Sequence, residues 1–107
     1  GFSQGGVIAL HTGVRHAERL AGIVALSTYV VSPDKLAAEG HFANRDVPIF
    51  MAHGTADPMI RLEWAEASRR ALEAAGYPVE WHTYPMPHSV VWEEIVAFSA
   101  FLARVLA

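Results

Sequence analysis

Apolar positions come in separate blocks along the chain, and the spacing inside each block predicts an element. Gly5 to His16 (GGVIALHTGVRH) carries Val7, Ile8, Ala9 and Leu10 in succession. That is the pattern of a helix buried against more than one neighbour, and its two opening glycines permit close packing. Ala21 to Thr28 (AGIVALST) is a short unbroken apolar run, and Val47 to His53 (VPIFMAH) reads the same way with Pro48 at its start. Both suit interior strands covered on two faces, as in parallel sheets, and the start of a strand tolerates a missing N–H.

Between these strands, Tyr29 to Asp46 holds Ser32-Pro33-Asp34, Gly40 and Asn44-Arg45-Asp46. The composition predicts a surface excursion with a short helix near Leu36 to Glu39. Leu62 to Ala75 repeats Trp64, Ala67, Ala71 and Ala75 at helical spacing, with Glu66 and Arg70 as an exposed pair. It predicts a helix stopped by Gly76 and Pro78. Val79 to Tyr84 (VEWHTY) alternates apolar and polar, as a strand near a sheet edge does. A last helix is predicted from Trp92 to Leu106, capped by Ser89, with Ile95, Phe98, Leu102 and Val105 turned inward. The fold class that follows is α/β: three mostly parallel strands alternating with helices, in one domain over residues 1–107.

Composition narrows the function classes. The chain is 52% hydrophobic and 18% charged, which excludes a disordered segment. Eight basic against eleven acidic residues give a net charge of −3, and Lys35 is the only lysine, so no basic face is available to nucleic acid. Charged residues interrupt every apolar stretch well short of the roughly 18 residues a membrane span needs. Without cysteine there is neither a disulfide framework nor a thiolate metal site. His11 and His16 lie five apart rather than the four that would stack them on a helix, so no metal is expected. The chain begins at Gly1 with neither an initiator Met nor a secretory signal. It reads as a segment cut from a longer protein, with the cytoplasm as the expected compartment.

Three motifs carry candidate chemistry. Gly1-Phe2-Ser3-Gln4-Gly5 fits G-x-S-x-G and precedes a predicted helix. In such an elbow the serine sits on a sharp strand-to-helix turn, and the helix N-terminus offers N–H groups to a developing oxyanion, Gln4 first. His53-Gly54-Thr55-Ala56-Asp57-Pro58 places Asp57 just after the second interior strand, and Pro85-Met86-Pro87-His88-Ser89 puts His88 on a stiffened loop after the third. Singly, each has a plain explanation: a glycine-flanked turn, an Asp-Pro turn starter, a solvated loop histidine. Together they stand in the order nucleophile, acid, histidine, each where a strand's carboxyl end belongs, and a serine needs both a base and a group to orient that base.

GFSQGG at 1–6, HGTADP at 53–58 and YPMPHSV at 84–90 resemble the bacterial carboxylesterase and acyl-protein thioesterase branch of the α/β-hydrolases, the phospholipase/carboxylesterase family, across essentially all 107 residues. The resemblance implies the C-terminal half of an α/β-hydrolase fold, starting at the nucleophile elbow. It implies Ser3 as nucleophile, Asp57 as orienting acid and His88 as general base. The family hydrolyses carboxylic esters, and in some members acyl thioesters, without a cofactor, so a small-molecule ester is the expected substrate. The apolar neighbours Met59, Ile60, Val90 and Trp92 favour a modest acyl group at the site.

The likeness starts at the nucleophile, so the family's loop for a second oxyanion donor lies outside this sequence. An alternative therefore stands beside the esterase: a catalytically silent fragment that self-associates as a homo-oligomer through an uncovered Ala21–Thr28 edge, or pairs with a missing N-terminal half. Among the remaining residues, His53 reads as a structural strand-end residue and His41 and His82 as solvated or edge-facing. Trp64, Trp81 and Trp92 read as packing residues, Trp92 also being close enough to His88 to line an acyl site. Ser27, Ser68 and Ser99 lack flanking glycines and read as ordinary polar positions.

Overall fold

The β-branched and apolar runs form a parallel sheet in chain order. In the computed structural model, which describes all of residues 1–107, strand β1 spans Ile23–Leu26, β2 spans Ile49–Gly54 and β3 spans Val79–Tyr84. Ile23 pairs with Ile49, which pairs with Val79, and β2 and β3 stay in register as far as Gly54 beside Tyr84. Every residue of β2 is buried, as a central strand demands, whereas β3 at the edge is only half-buried.

Helices cover both faces. On one, Leu10 and Val14 of helix α1 (Gln4–Arg15) and Leu72 of a later helix, α3 (Leu62–Ala74), pack on Ile23, Ala25, Ile49 and Met51. On the other, Phe101 of the last helix, α4 (Trp92–Val105), packs on Leu26, Phe50 and Ala52. A short helix α2 (Leu36–Glu39) falls where the sequence puts it.

Several inward stripes are rotated from the sequence reading. Helix α1 buries only Gly6, Leu10, Gly13 and Val14 and leaves Ile8 exposed, because it packs on the sheet by one face. Helix α3 buries Ala65, Ser68 and Leu72 and exposes Trp64. Ser68 is no ordinary polar position: its hydroxyl accepts the Val30 N–H at 2.8 Å and donates to the Trp64 carbonyl at 2.9 Å. The helical ion pair is Arg69 with Glu73 at 4.0 Å, not Glu66 with Arg70. Helix α4 buries Glu94 and Phe101 and leaves Leu102 36% exposed. It starts on Val91, so Ser89 does not cap it.

The 29–46 connection is more than a surface excursion, since Val30 and Leu36 join the core. Asn44 is fully buried, donating to the His16 and Glu18 carbonyls and accepting the Leu20 N–H at 2.7 Å. The outer edge of β1 is also partly occupied. The first residues run parallel along it: the Gly1 carbonyl accepts the Leu26 N–H at 2.9 Å, and the Ser3 N–H donates to the Leu26 carbonyl at 2.8 Å. Beside this edge an apolar groove of about 540 Å³ runs between α1 and α4, lined by Phe2, Leu20, Val24, Phe98 and Leu102. No helix is long and apolar enough to cross a membrane.

Candidate active site

Parallel strands bring their carboxyl ends to one rim of the sheet, and the loops leaving that rim carry Ser3, Asp57 and His88. Ser3 stands between the edge segment and helix α1 with φ 56° and ψ −122°, a conformation that non-glycine residues seldom adopt. The bond from its N–H to the Leu26 carbonyl ties the turn to β1. Gln4 is the first residue of α1, so its N–H has no partner within the helix and stands free at the helix's positive end.

Asp57 sits on the turn after β2, its side chain fully shielded from solvent. Its Oδ1 accepts the Met59 and Ile60 N–H groups at 2.8 and 2.9 Å, and its Oδ2 accepts from His88 Nδ1 at 2.7 Å. Burial pushes the carboxyl's pKa up, but the hydrogen bonds from Ile60, His88 and Met59 outweigh it and hold the group below its ordinary value. With Nδ1 donating to Asp57, His88 turns Nε2 to the Ser3 hydroxyl, which donates to it at 2.9 Å. The three side chains thus form one hydrogen-bonded line from carboxylate to hydroxyl. The Phe2 ring lies against His88, with centroids 4.9 Å apart.

The acid and histidine loops are joined to each other. Thr55 donates to the Tyr84 carbonyl at 2.9 Å and Ala56 to the Met86 carbonyl at 3.1 Å, extending the β2–β3 ladder past its last pair. Gly54 makes this closeness possible, because a Cβ there would come within 2.2 Å of the Met86 carbonyl oxygen. His53 is buried beneath the loop, and its Nε2 donates to the Ile60 carbonyl at 2.8 Å. It is the strand-end structural residue the sequence suggests, with a specific partner.

The four apolar candidates for a substrate wall divide. Met59 and Trp92 are 68% and 71% exposed, and Val90 is also open to solvent. Ile60 is buried and contributes its backbone to Asp57 and His53 instead. Trp92 is not a packing residue and Trp64 is half exposed, packing only edge-on against Tyr29, whereas Trp81 lies under the Arg69 guanidinium, 5.2 Å from the ring centroid. His41 accepts the Ala43 N–H at 3.0 Å, and His82 bonds Glu80 at 2.8 Å while stacking on Phe50. No group of three potential metal-ligating side chains clusters anywhere in the chain.

A parallel sheet between helix layers, with serine, aspartate and histidine at its carboxyl rim in that chain order, is the architecture of the α/β-hydrolases. The chain matches the phospholipase/carboxylesterase family over residues 1–106 and belongs to that family. It is 43% identical to acyl-protein thioesterase 1 of Neurospora crassa, over 97% of this chain and 44% of the relative. The protein of the same name from Mycosarcoma maydis is 40% identical, over 99% and 46% respectively. Among solved structures, Arabidopsis thaliana SOBER1 superposes with a TM-score of 0.93 at 28% identity, covering 100% of this chain and 51% of that one. Esterase PE8 superposes with a TM-score of 0.90 at 31% identity, covering 98% and 48%. The chain therefore spans just under half the length of these two thioesterases. Both are fungal, which does not support the bacterial branch suggested by the motifs.

Proposed function

We propose that this chain carries the reacting side chains of a serine hydrolase that cleaves carboxylic esters or acyl thioesters through an acyl-serine intermediate. The observation that carries the reading is the continuous line from Asp57 Oδ2 through the His88 ring to Ser3 Oγ, with spacings of 2.7 and 2.9 Å. In this mechanism the Ser3 hydroxyl attacks the acyl carbonyl while its proton passes to His88 Nε2. The Gln4 N–H stabilises the tetrahedral oxyanion. His88 then hands the proton to the departing alcohol or thiol, and an acyl-serine remains. Water enters, gives a proton to His88 and attacks the acyl carbon; the carboxylic acid leaves as Ser3 recovers its proton. Asp57 holds the imidazole in the required tautomer and stabilises the imidazolium.

Met59, Val90 and Trp92 line the acyl approach in this reading, and their exposed apolar surface favours an uncharged acyl group. Thioester cleavage rests on the names of the two fungal relatives. The cytoplasm is the setting that goes with it. The apolar groove beside β1 supports a further element: in the working protein this face is covered, by the rest of a fold about twice this length or by a second copy.

A fluorophosphonate probe tests the central step, because it phosphonylates only an activated serine. Labelling is expected at Ser3 in the folded protein and absent in Ser3→Ala, with hydrolysis of an uncharged p-nitrophenyl ester lost in parallel. A folded wild-type protein that stays unlabelled at Ser3 overturns the reading.

A further inference from the structure

The Ser3–Gln4 peptide unit has two working ends. Its N–H is the free donor at the start of α1, and its carbonyl points the opposite way, because a trans peptide sets C=O and N–H antiparallel. Whatever grips the carbonyl therefore aims the donor. Three groups grip it: the Gly6 N–H at 2.9 Å, the Val7 N–H at 3.1 Å and the Thr28 hydroxyl at 2.7 Å. The first two come from the helix itself. Thr28 comes from beyond the end of β1 and is the contact that references this peptide to the sheet.

The approach to Thr28 is strained and close. Ser27, fully buried just before it, is a non-glycine residue held at φ 53°. Its N–H bonds the Ala52 carbonyl at 2.9 Å, fixing the turn to β2. A buried residue held in a sparsely populated conformation beside a candidate site points to a demand made by that site. Thr28 is itself buried, and its methyl lies so near α1 that a Cβ on Gly6 would come within 2.7 Å of it. The hydroxyl thus reaches the Ser3 carbonyl from a fixed position on the sheet.

We propose that Thr28 is a positioning residue for the oxyanion donor: its hydroxyl holds the Ser3–Gln4 peptide so that the Gln4 N–H faces the oxygen of the tetrahedral intermediate. This rests on the hydrolase reading above and adds a residue to it. The donor's alignment matters most when charge has developed on the acyl oxygen, so losing the hydroxyl lowers kcat and leaves KM nearly unchanged.

Two pairs of proteins isolate the hydroxyl at matched shape: wild type against Thr28→Val, and Thr28→Ser against Thr28→Ala. Fluorophosphonate labelling rates and steady-state ester hydrolysis are read together with thermal midpoints. In each pair the member without the hydroxyl is expected to label about tenfold more slowly, with a matching fall in kcat; tenfold corresponds to about 1.4 kcal/mol on the barrier. Thr28→Ser, which lacks the methyl against Gly6, should label within about threefold of wild type even if it melts earlier. Should Thr28→Val fail to fold, the Ser and Ala variants carry the comparison alone. Equal rates within a pair, or losses that follow the melting temperature instead of the hydroxyl, overturn the proposal while Ser3 remains the labelled nucleophile. A wild type that is never labelled removes the hydrolase reading, and this assignment with it.

Discussion

His53 Nε2 lies 3.6 Å from Asp57 Oδ2 and 2.8 Å from the Ile60 carbonyl, so one buried imidazole braces the turn that presents the carboxylate. The turn is closed from within by the Met59 and Ile60 amides bonding Asp57 Oδ1, and from below by His53. Replacing His53 with Leu keeps apolar bulk but leaves the Ile60 carbonyl without its partner. A cost of about 1–3 kcal/mol is expected in urea unfolding, together with slower labelling of Ser3 as Asp57 loosens. His53→Gln, which can still donate to Ile60, should recover part of both. A His53→Leu protein with wild-type stability and labelling rate contradicts this role.

Asp57 gives the site a pH-dependent contribution whose sign follows from its environment. Its folded-state pKa is held below the ordinary value of 3.8, so its contribution to stability is fully present above that value and is lost as pH falls through the lower, folded one. Asp57→Asn should therefore lower the urea midpoint at neutral pH, and the gap to wild type should close once the medium is acid enough to protonate the native carboxyl. Ester hydrolysis at neutral pH should fall on the order of 10³ to 10⁴, as expected when the base is held in the wrong tautomer. A stability difference that stays constant across the acid range argues against an ionised, hydrogen-bonded Asp57.

Trp92 opens helix α4 a few residues after His88 with most of its ring in solvent. Trp92→Ala should leave unfolding stability within about 0.5 kcal/mol of wild type, because little packing is lost. KM for p-nitrophenyl esters with longer acyl chains should rise about three- to tenfold, with little change for the acetate. Comparing an acetate with an octanoate ester reads this directly. An equal change for both chain lengths removes Trp92 from the acyl wall.

Element type and motif order were legible in the sequence because each depends on local information. The run VEWHTY becomes β3 with the expected bounds, and the chain order of Ser3, Asp57 and His88 places all three at one rim. Helix faces were less legible, because spacing gives a stripe but not its direction. Trp64 and Leu102 fit apolar stripes, yet Ser68 and Glu94 occupy the buried positions, their orientation set by the sheet beneath. The partners of the polar groups that support the site were hidden for a related reason, although His53 itself reads as a structural strand-end residue. Ser27, Thr28 and His53 matter through partners about 7 to 62 positions away, as with His53 and Ile60 or Ser27 and Ser89, and no local pattern marks such pairings. The strain at Ser27 has no sequence signal either, since glycine would be the expected residue at a positive φ.

Glu94 is a buried carboxyl that the proposed hydrolytic steps leave unused. It lies on the inward stripe of α4 with Phe101, fully shielded, and no hydrogen bond of good geometry reaches either carboxylate oxygen. Burial pushes its pKa above the ordinary 4.5, against a smaller opposing pull from the Val91 backbone. For a group shifted this way, the native state is favoured while the carboxyl is protonated. The stabilisation is complete below 4.5 and disappears as pH rises through the folded-state value, where the native state must either bury a charge or hold a proton the solvent would take. Glu94→Gln keeps the size and neutrality of the protonated form without that dependence. Its urea midpoint should track wild type in acid, pull ahead as pH rises above 4.5, and keep a constant lead once pH is past the folded-state value. Parallel midpoints over the whole range would mean that Glu94 titrates alike in the folded and unfolded chains, and that its burial carries no protonation cost.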